Sequence, residues 1–114
     1  MALIFKIVAT PEWLAAESEG VFHGSAVDRA DGYIHFSTAD QAPETAAKWF
    51  AERSDLMLVA VDASALGADI RWEPSRGGAL FPHLYAPLSF SKVVWSRPMR
   101  LGPHGAHLMG SLTT

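Results

Sequence analysis

The chain has 114 residues and a net charge of -3, 49% of its residues are hydrophobic, and it contains no cysteine. This composition predicts a single domain, residues 1–114, with a packed core at about 3–98 and a mobile tail at 103–114. It excludes a disulfide framework, a thiol nucleophile and a basic stripe that could follow a nucleic-acid backbone. Because no stretch approaches about 18 apolar residues and the N-terminus lacks a signal-peptide pattern, we expect a cytoplasmic protein without a membrane segment.

The first predicted elements are a strand and a helix. Leu3 to Val8 is an apolar run of strand length, rich in Ile, Phe and Val. Thr10 and Pro11 then supply an N-cap and a proline at the first helical position, which predicts a helix from Pro11 to about Glu19. Gly20 supplies the left-handed residue that commonly ends a helix.

A second strand and the main helix follow. The aromatic and β-branched residues of Gly32 to Ser37 predict a strand with His35 in its middle. Thr38 and Gln41 have the spacing of a capping box, and apolar residues between Glu44 and Arg53 recur at helical spacing. We therefore predict a helix over this second stretch.

The second half of the chain is predicted to consist mainly of strands. Leu56 to Val61 is a continuous apolar run, which is typical of a central strand. Asp62 can cap a single turn, and three further strands are predicted at Ile70–Glu73, Leu80–Tyr85 and Val93–Arg100. The predicted fold class is α+β, with a small mixed sheet of about five or six strands and two main helices.

His35 is the first candidate for a chemical role, because it lies on a strand two residues before Ser37. Side chains alternate across a strand, so Tyr33 and Ser37 share the face of His35, and the apolar residues between them lie on the opposite face. A histidine on such a half-polar strand is either a solvated structural residue or part of a site.

The segment from Ile70 to Tyr85 concentrates polar side chains among glycines and prolines. Arg71 and Glu73 share one strand face, and His83 and Tyr85 share another, so each predicted strand presents a polar pair in one direction. Such pairs can line a pocket. Alternatively, Arg71 and Glu73 form a salt bridge and the Gly-Gly turn serves only backbone geometry.

Three blocks of residues together resemble a known family: Gly32–Thr38 (GYIHFST), Arg71–Glu73 (RWE) and Phe81–Pro87 (FPHLYAP). By their order and spacing, the chain is identified as a member of the bacterial family called domain of unknown function 952, over about Leu3 to Pro98. Membership of this family implies no activity.

Gly32 to Ser37 followed by a capped helix is also similar, more distantly, to the second conserved strand and helix of the ADP-ribosyltransferase superfamily, which includes the RNA 2'-phosphotransferases. This similarity implies a split sheet that grips a nicotinamide dinucleotide. It places His35 and Ser37 along the cleft and His83 near the third motif. The sequence departs from the superfamily in having Lys6 where many relatives have a histidine, and in lacking a glutamate in the third motif.

The leading interpretation is a protein that binds NAD or a related small nucleotide, with transferase or hydrolase activity as its chemistry. His35 and His83 are the candidate catalytic residues, because imidazoles can bind ribose hydroxyls or move protons. Tyr85 would stack on a ring, and Arg76 in its glycine loop would meet a phosphate. The candidate cofactor-binding residues are Ser37, Tyr85, Arg71, Glu73 and Arg76.

Two other interpretations remain open. A metal site would use the imidazoles and carboxylate of His23, His35, Glu73 and His83, although no metal-binding spacing supports it. A non-catalytic binding module would present Phe81–Pro87 and Trp72 as an apolar surface for a partner protein.

Two further expectations concern tryptophans and a loop. Trp13 and Trp49 are expected to face the core, because they fall at apolar helix positions. The loop that carries Ser25, Asp28 and Asp31 precedes the His35 strand and can contribute to the rim of a pocket.

Overall fold

The computed structural model describes residues 2–112, and over that range it contains nine β-strands and three α-helices. The strands are β1 (Leu3–Ala9), β2 (Val21–Phe22), β3 (Ile34–His35), β4 (Leu56–Asp62), β5 (Ile70–Ser75), β6 (Ala79–Leu84), β7 (Leu88–Ser89), β8 (Val93–Leu101) and β9 (His107–Leu108). The helices are α1 (Thr10–Glu19), α2 (Ala26–Asp31) and α3 (Ala42–Trp49).

The α+β class is confirmed, but the details of the predicted sheet were wrong. The strands form three sheets, ordered β1-β4-β8-β9, β2-β7 and β3-β6-β5, and not one sheet of five or six strands. Every pairing between the strands just named is antiparallel, so none of the three sheets combines parallel and antiparallel strands as predicted. The missed elements are three two-residue strands and the six-residue helix α2, which are too short to show a period in the sequence.

The predicted central strand is confirmed. β4 lies between β1 and β8 and has both faces buried, which explains why its sequence is a continuous apolar run. Val59 and Val61 belong to one hydrophobic cluster, which also contains Trp13 of α1. Leu58 and Ala60 belong to a second cluster, which packs under α3 and the C-terminal tail.

Helix α1 follows the prediction closely. Pro11 lies in its first turn, and Gly20 ends it with a φ of 87°. Trp13 is buried as expected, and its ring stacks on Phe90 with the ring centroids 4.5 Å apart. Burial of this indole anchors α1 to the sheet.

Helix α3 is shifted from the predicted stretch between Glu44 and Arg53, because it begins at Ala42 and ends at Trp49. The Thr38 and Gln41 pair forms the expected reciprocal hydrogen bonds, at 3.0 and 3.3 Å, but the helix itself begins at Ala42. Ala42 and Ala46 are fully buried, whereas Trp49 is 62% exposed, so the expectation that Trp49 faces the core was wrong. The physical reason is that Trp49, the last residue of α3, borders a cavity and not the packed core.

The two larger sheets meet at one point and then separate. An isolated bridge joins Phe5 of β1 to Ser37, which lies just after β3, through backbone hydrogen bonds of 2.7 and 2.8 Å. Beyond this bridge β1 continues along β4, while β3 pairs with β6. The divergence opens a cleft between the edge of β1 and β3.

The C-terminal tail, for which the sequence predicts mobility, carries a short strand. β9 pairs with the end of β8, and the guanidinium of Arg97 donates hydrogen bonds to the carbonyls of Met109 and Ser111. Met109 and Leu112 pack against the second hydrophobic cluster. Among residues 2–112, none of the helices has the length and apolar character needed to cross a membrane.

Candidate functional site

A cavity of about 510 Å³ occupies the cleft between the diverging sheets. Its wall includes the edge of β1, the β3 strand, part of β6, the start of α2 and the end of α3. The volume falls in the range of about 300–1,000 Å³ that is typical of small-molecule sites.

The backbone of Ile7 presents a donor and an acceptor to this cavity. Phe5 exchanges its backbone hydrogen bonds with Ser37, so its N–H and C=O point away from β4. Ile7 lies two residues after Phe5 on β1, and its N–H and C=O therefore point in the same direction as those of Phe5, away from β4. Ile7 is buried and lines the cavity, yet its backbone has no partner among the described residues, which leave out the Arg76 side chain. A buried unpaired peptide group is uncommon and indicates a place where a ligand can bind.

The two candidate histidines, which strand parity and the family resemblance together predicted to share a pocket, lie side by side. β3 and β6 pair with His35 directly opposite His83, and the two ring centroids lie 5.6 Å apart. Both residues line the cavity. The Tyr33 ring covers them, with its centroid 4.1 Å from that of His83 and 4.6 Å from that of His35.

Asp28, at the N-terminal turn of α2, holds one side of the site together. Its carboxylate accepts hydrogen bonds from the Lys6 ammonium at 2.8 and 3.0 Å and from the Ser25 backbone at 2.9 Å. It also accepts from the Nδ1 of His35 at 2.6 Å and from the His35 backbone at 3.1 Å. The carboxyl side chain is only 1% exposed, so these contacts replace all of its hydration.

The ionisation of this group follows from its partners. Burial by itself would raise the pKa of Asp28, but the hydrogen bond from His35 and the charge of Lys6 outweigh burial and hold the pKa well below its ordinary value. Burial lowers the pKa of the Lys6 ammonium, although Asp28 opposes that effect. Asp28 is therefore a buried anion, and Lys6 is its main counter-charge.

The second nitrogen of His35 is also occupied. Its Nε2 lies 2.9 Å from the carboxylate of Asp31, at the end of α2. Both imidazole nitrogens thus face carboxylates, and both contacts are hydrogen bonds only when each nitrogen carries a hydrogen. The segment with Ser25, Asp28 and Asp31 was expected to be a loop at a pocket rim; it lines the cavity, but Asp28 and Asp31 lie in helix α2.

The other side of the site is built on Glu73 of β5. Its Oε1 lies 2.8 Å from the Nδ1 of His83 and accepts a hydrogen bond of 2.6 Å from the Tyr85 hydroxyl. These bonds lower the pKa of Glu73, and the bond to Glu73 raises the pKa of Tyr85. Because a carboxylate faces Nδ1, the hydrogen of the neutral imidazole lies on that nitrogen, and Nε2 is an acceptor.

The Nε2 of His83 is the open position of the site. The His83 residue is only 3% exposed and lines the cavity, and its Nε2 has no partner in the described part of the chain. For Arg71 the sequence left open whether it lines a pocket or forms a salt bridge with Glu73. Its guanidinium lies 4.5 Å from the centre of the Tyr85 ring.

The remaining predicted site residues fall at different distances from the cavity. Ser37 lines it and shares a hydrogen bond of 2.9 Å with Thr45. Tyr85 instead lines a smaller neighbouring cavity of about 290 Å³. The backbone of Arg76 begins a turn after β5, but its side chain lies outside the described part of the structure.

Among the described residues, neither the alternative metal site nor the alternative partner-binding surface is formed by all the residues proposed for it. His23 contacts Glu19 and lies away from the main cavity, and residues 2–112 contain no group of three or more His, Asp or Glu that could hold a metal ion. The apolar surface proposed for a partner is smaller than expected, because Phe81 and Leu84 are buried, while Trp72 is 44% exposed.

Lys6 and its partnership with Asp28 were missed as site features. The sequence carries one signal for Lys6, because a charged residue in the middle of a buried strand is rare unless it has a partner. The partner lies 22 residues away along the chain, and no local pattern connects the two.

The fold and site together define a small α+β protein with a cleft between two antiparallel sheets, lined by two carboxylate-oriented histidines. The chain belongs to the DUF952 family of proteins of unknown function, whose family model matches residues 7–96.

Solved structures of CC0527 from Caulobacter crescentus are similar to this chain. The crystal structure has 53% sequence identity, covers 93% of each chain and superposes with a TM-score of 0.89. The solution NMR structure has 54% identity, covers 93% of this chain and 91% of that chain, and gives a TM-score of 0.85. No curated protein significantly matches the chain.

Proposed function

We propose that the cleft between β1 and β3 binds a small nucleotide-like ligand that carries a carboxamide and ribose hydroxyls, such as NAD or a compound related to it. The observation that carries this proposal is the pair of unused hydrogen-bonding positions in one cavity, at the backbone of Ile7 and at the Nε2 of His83. Each belongs to a buried residue, and each lacks a partner in the part of the chain that the structure describes.

The backbone of Ile7 matches a carboxamide. Its N–H donor and C=O acceptor lie on the same unpaired edge of β1, and a carboxamide offers the complementary acceptor and donor on one planar group. A ligand bound in this way would extend the β1 edge as a further strand would, and the buried peptide group would regain the hydrogen bonds that it lacks.

His83 matches a hydroxyl group or a water molecule. Its Nε2 can accept a proton, and Glu73 stabilises the imidazolium that would form. In this proposal His83 is the proton acceptor and a candidate catalytic residue, while Glu73 positions it. His35 has both nitrogens engaged, so its role is to shape the wall and to bind a hydroxyl in exchange for Asp31, whose side chain is 47% exposed.

The ring surfaces of the cleft suit a flat ligand. Tyr33 and Phe81 contribute aromatic side chains to the wall, and a planar ring would gain apolar burial and stacking beside them. The resemblance to the ADP-ribosyltransferases points to the same ligand class and to transferase or hydrolase chemistry.

The first test measures the binding of NAD, ADP-ribose and nicotinamide to the purified protein by the shift in its melting temperature. A ligand at one hundred times its Kd should stabilise the protein by about 2.7 kcal/mol, which is a shift of several degrees in a domain of this size. His83→Ala should abolish the shift, whereas His104→Ala, an exposed tail histidine outside the cavity, should leave it unchanged.

A second measurement needs no substitution. In a titration followed by amide NMR, the Ile7 resonance should move more than those of Val59 and Leu58, which lie within the central strand. If none of the three compounds binds, or if binding leaves both the Ile7 amide and the His83→Ala variant unaffected, the proposed ligand class is wrong.

A further inference from the structure

The end of helix α3 carries features that the proposed site does not use. Trp49 is 62% exposed although it is a large apolar side chain, and it lines the mouth of the cavity. Lone exposed apolar residues are common, so exposure alone indicates little. Phe50 and Arg53 line the same cavity from the same turn, which places two rings and a cation together at its entrance.

The turn that presents these residues has an uncommon backbone conformation. Glu52 has a φ of 63°, and within residues 2–112 it is the sole non-glycine residue with a positive φ. Such a conformation persists when surrounding contacts hold it, and it is often found at binding sites. Here the Arg53 N–H donates to the Phe50 carbonyl at 3.1 Å, and the Nε2 of His107 in the tail donates to the Arg53 carbonyl at 3.1 Å.

Two cations lie beside the rings at this end of the cavity, whose wall also carries the carboxylates of Glu12, Asp28 and Asp31. The Arg53 guanidinium lies 5.5 Å from the centre of the Phe50 ring, and its contact with Asp55 is long, at 4.0 Å. The Lys48 ammonium lies 5.8 Å from the centre of the Trp49 ring. A guanidinium held beside aromatic rings and weakly paired is well suited to a phosphate.

We propose that Trp49 and Arg53 form a second subsite of the cleft, in which Trp49 stacks on an aromatic base and Arg53 binds a phosphate. This inference rests on the proposed function, and it narrows the ligand from any nucleotide-like compound to one with two ring systems joined through phosphate. The Ile7 and His83 end takes the carboxamide-bearing half, and the α3 end takes the adenylate half.

Calorimetric titration with two probes tests the subsite. NAD carries both halves, and nicotinamide mononucleotide carries only the half assigned to Ile7 and His83. Trp49→Ala should weaken NAD binding by about tenfold, because stacking of one base on an aromatic side chain contributes that much. It should leave the affinity for nicotinamide mononucleotide unchanged within about twofold.

Arg53→Ala should also weaken NAD binding, and it should reduce the dependence of the NAD affinity on salt concentration, since it removes one phosphate contact. Trp72→Ala and Arg100→Ala are the matched controls, because both residues are exposed and lie outside the cavity. Trp49 and Arg53 are exposed as well, so their substitution should leave folding intact.

The outcomes separate the two proposals. If the wild-type protein binds NAD and Trp49→Ala behaves like Trp72→Ala, the subsite is wrong and the proposed function stands. If Trp49→Ala weakens both probes equally, the division into two subsites is wrong. If the wild-type protein binds neither probe, the subsite and the proposed nicotinamide ligand fail together.

Discussion

Two clusters in the cleft pair a carboxylate with a histidine, and their surroundings give them different properties. The Asp28 cluster (Lys6, Asp28 and His35) has a carboxyl side chain that is 1% exposed and an imidazole with carboxylates at both nitrogens. The Glu73 cluster (Glu73, His83 and Tyr85) has a carboxyl side chain that is 35% exposed, and its buried imidazole keeps one nitrogen open.

The difference teaches that a carboxylate–histidine pair does not define a role by itself. In the Asp28 cluster both carboxylate oxygens and both imidazole nitrogens have partners within the protein, which favours rigidity over chemistry. In the Glu73 cluster the carboxylate reaches solvent and the open nitrogen reaches the cavity, which favours proton transfer. We therefore expect the Asp28 cluster to dominate stability and the Glu73 cluster to dominate ligand binding.

The largest expected effect is that of Asp28→Asn on stability. It removes the counter-charge of the buried Lys6 ammonium, and breaking a buried ion pair from one side costs about 3–5 kcal/mol. Urea unfolding monitored by tryptophan fluorescence measures the change. Asp31→Asn is the control, because Asp31 is about half exposed and contacts only the outer nitrogen of His35. Equal losses for the two variants would remove the special position of Asp28.

The loss of unfolding free energy at low pH should also depend on Asp28. Its folded-state pKa lies well below the ordinary value of 3.8, so its contribution is complete above that pH and is lost as the pH falls below about 4. Unfolding free energies measured between about pH 2 and 6 should therefore fall more steeply for the wild type than for Asp28→Asn. Parallel curves would mean that other carboxylates govern acid unfolding.

Substitution of the two histidines should separate stability from binding. His35→Gln loses contacts with two carboxylates and should cost about 1.5–3 kcal/mol, whereas His83→Gln should cost about 1 kcal/mol. Ligand binding should rank in the reverse order, with the greater loss for His83→Gln. Urea unfolding and calorimetry on the same preparations provide both numbers. A larger loss of binding for His35→Gln would reverse the roles assigned to the clusters.

The smallest expected effect concerns tyrosine titration. The hydrogen bond to Glu73 raises the pKa of Tyr85 above 10.0, and burial with nearby carboxylates raises that of Tyr33. Because the chain has two tyrosines, absorbance titration at alkaline pH can follow both. Glu73→Gln should lower the pKa of Tyr85 and, to a smaller extent, that of Tyr33, whereas the exposed, remote Asp40→Asn should lower neither. An unchanged titration in Glu73→Gln would show that Tyr85 does not depend on this carboxylate.

The sequence predicted the parts of the fold that local periodicity encodes. The β1 strand, the α1 helix and the central β4 strand each have a long apolar pattern and clear end signals, and all three occur close to their expected bounds. The two-residue strands β2, β7 and β9 depend on pairing with distant segments, so no local pattern could reveal them.

The candidate site divides in the same way. Strand parity together with the family resemblance predicted that His35 and His83 share one pocket, and the pairing of β3 with β6 places them directly opposite each other. Whether either histidine had a free nitrogen could not be predicted, since that depends on Asp28 and Asp31 of α2 and on Glu73 of β5, which lie in two other segments.

The sequence by itself determined the α+β class, the central strand, the family and the choice of His35 and His83 as candidate site residues. Only the tertiary structure decided the separation of the sheets beyond the Phe5 and Ser37 bridge, the unpaired edge at Ile7 and the exposure of Trp49. The reason is physical: periodicity fixes which way a side chain points, whereas the packing of distant segments fixes which polar groups find partners.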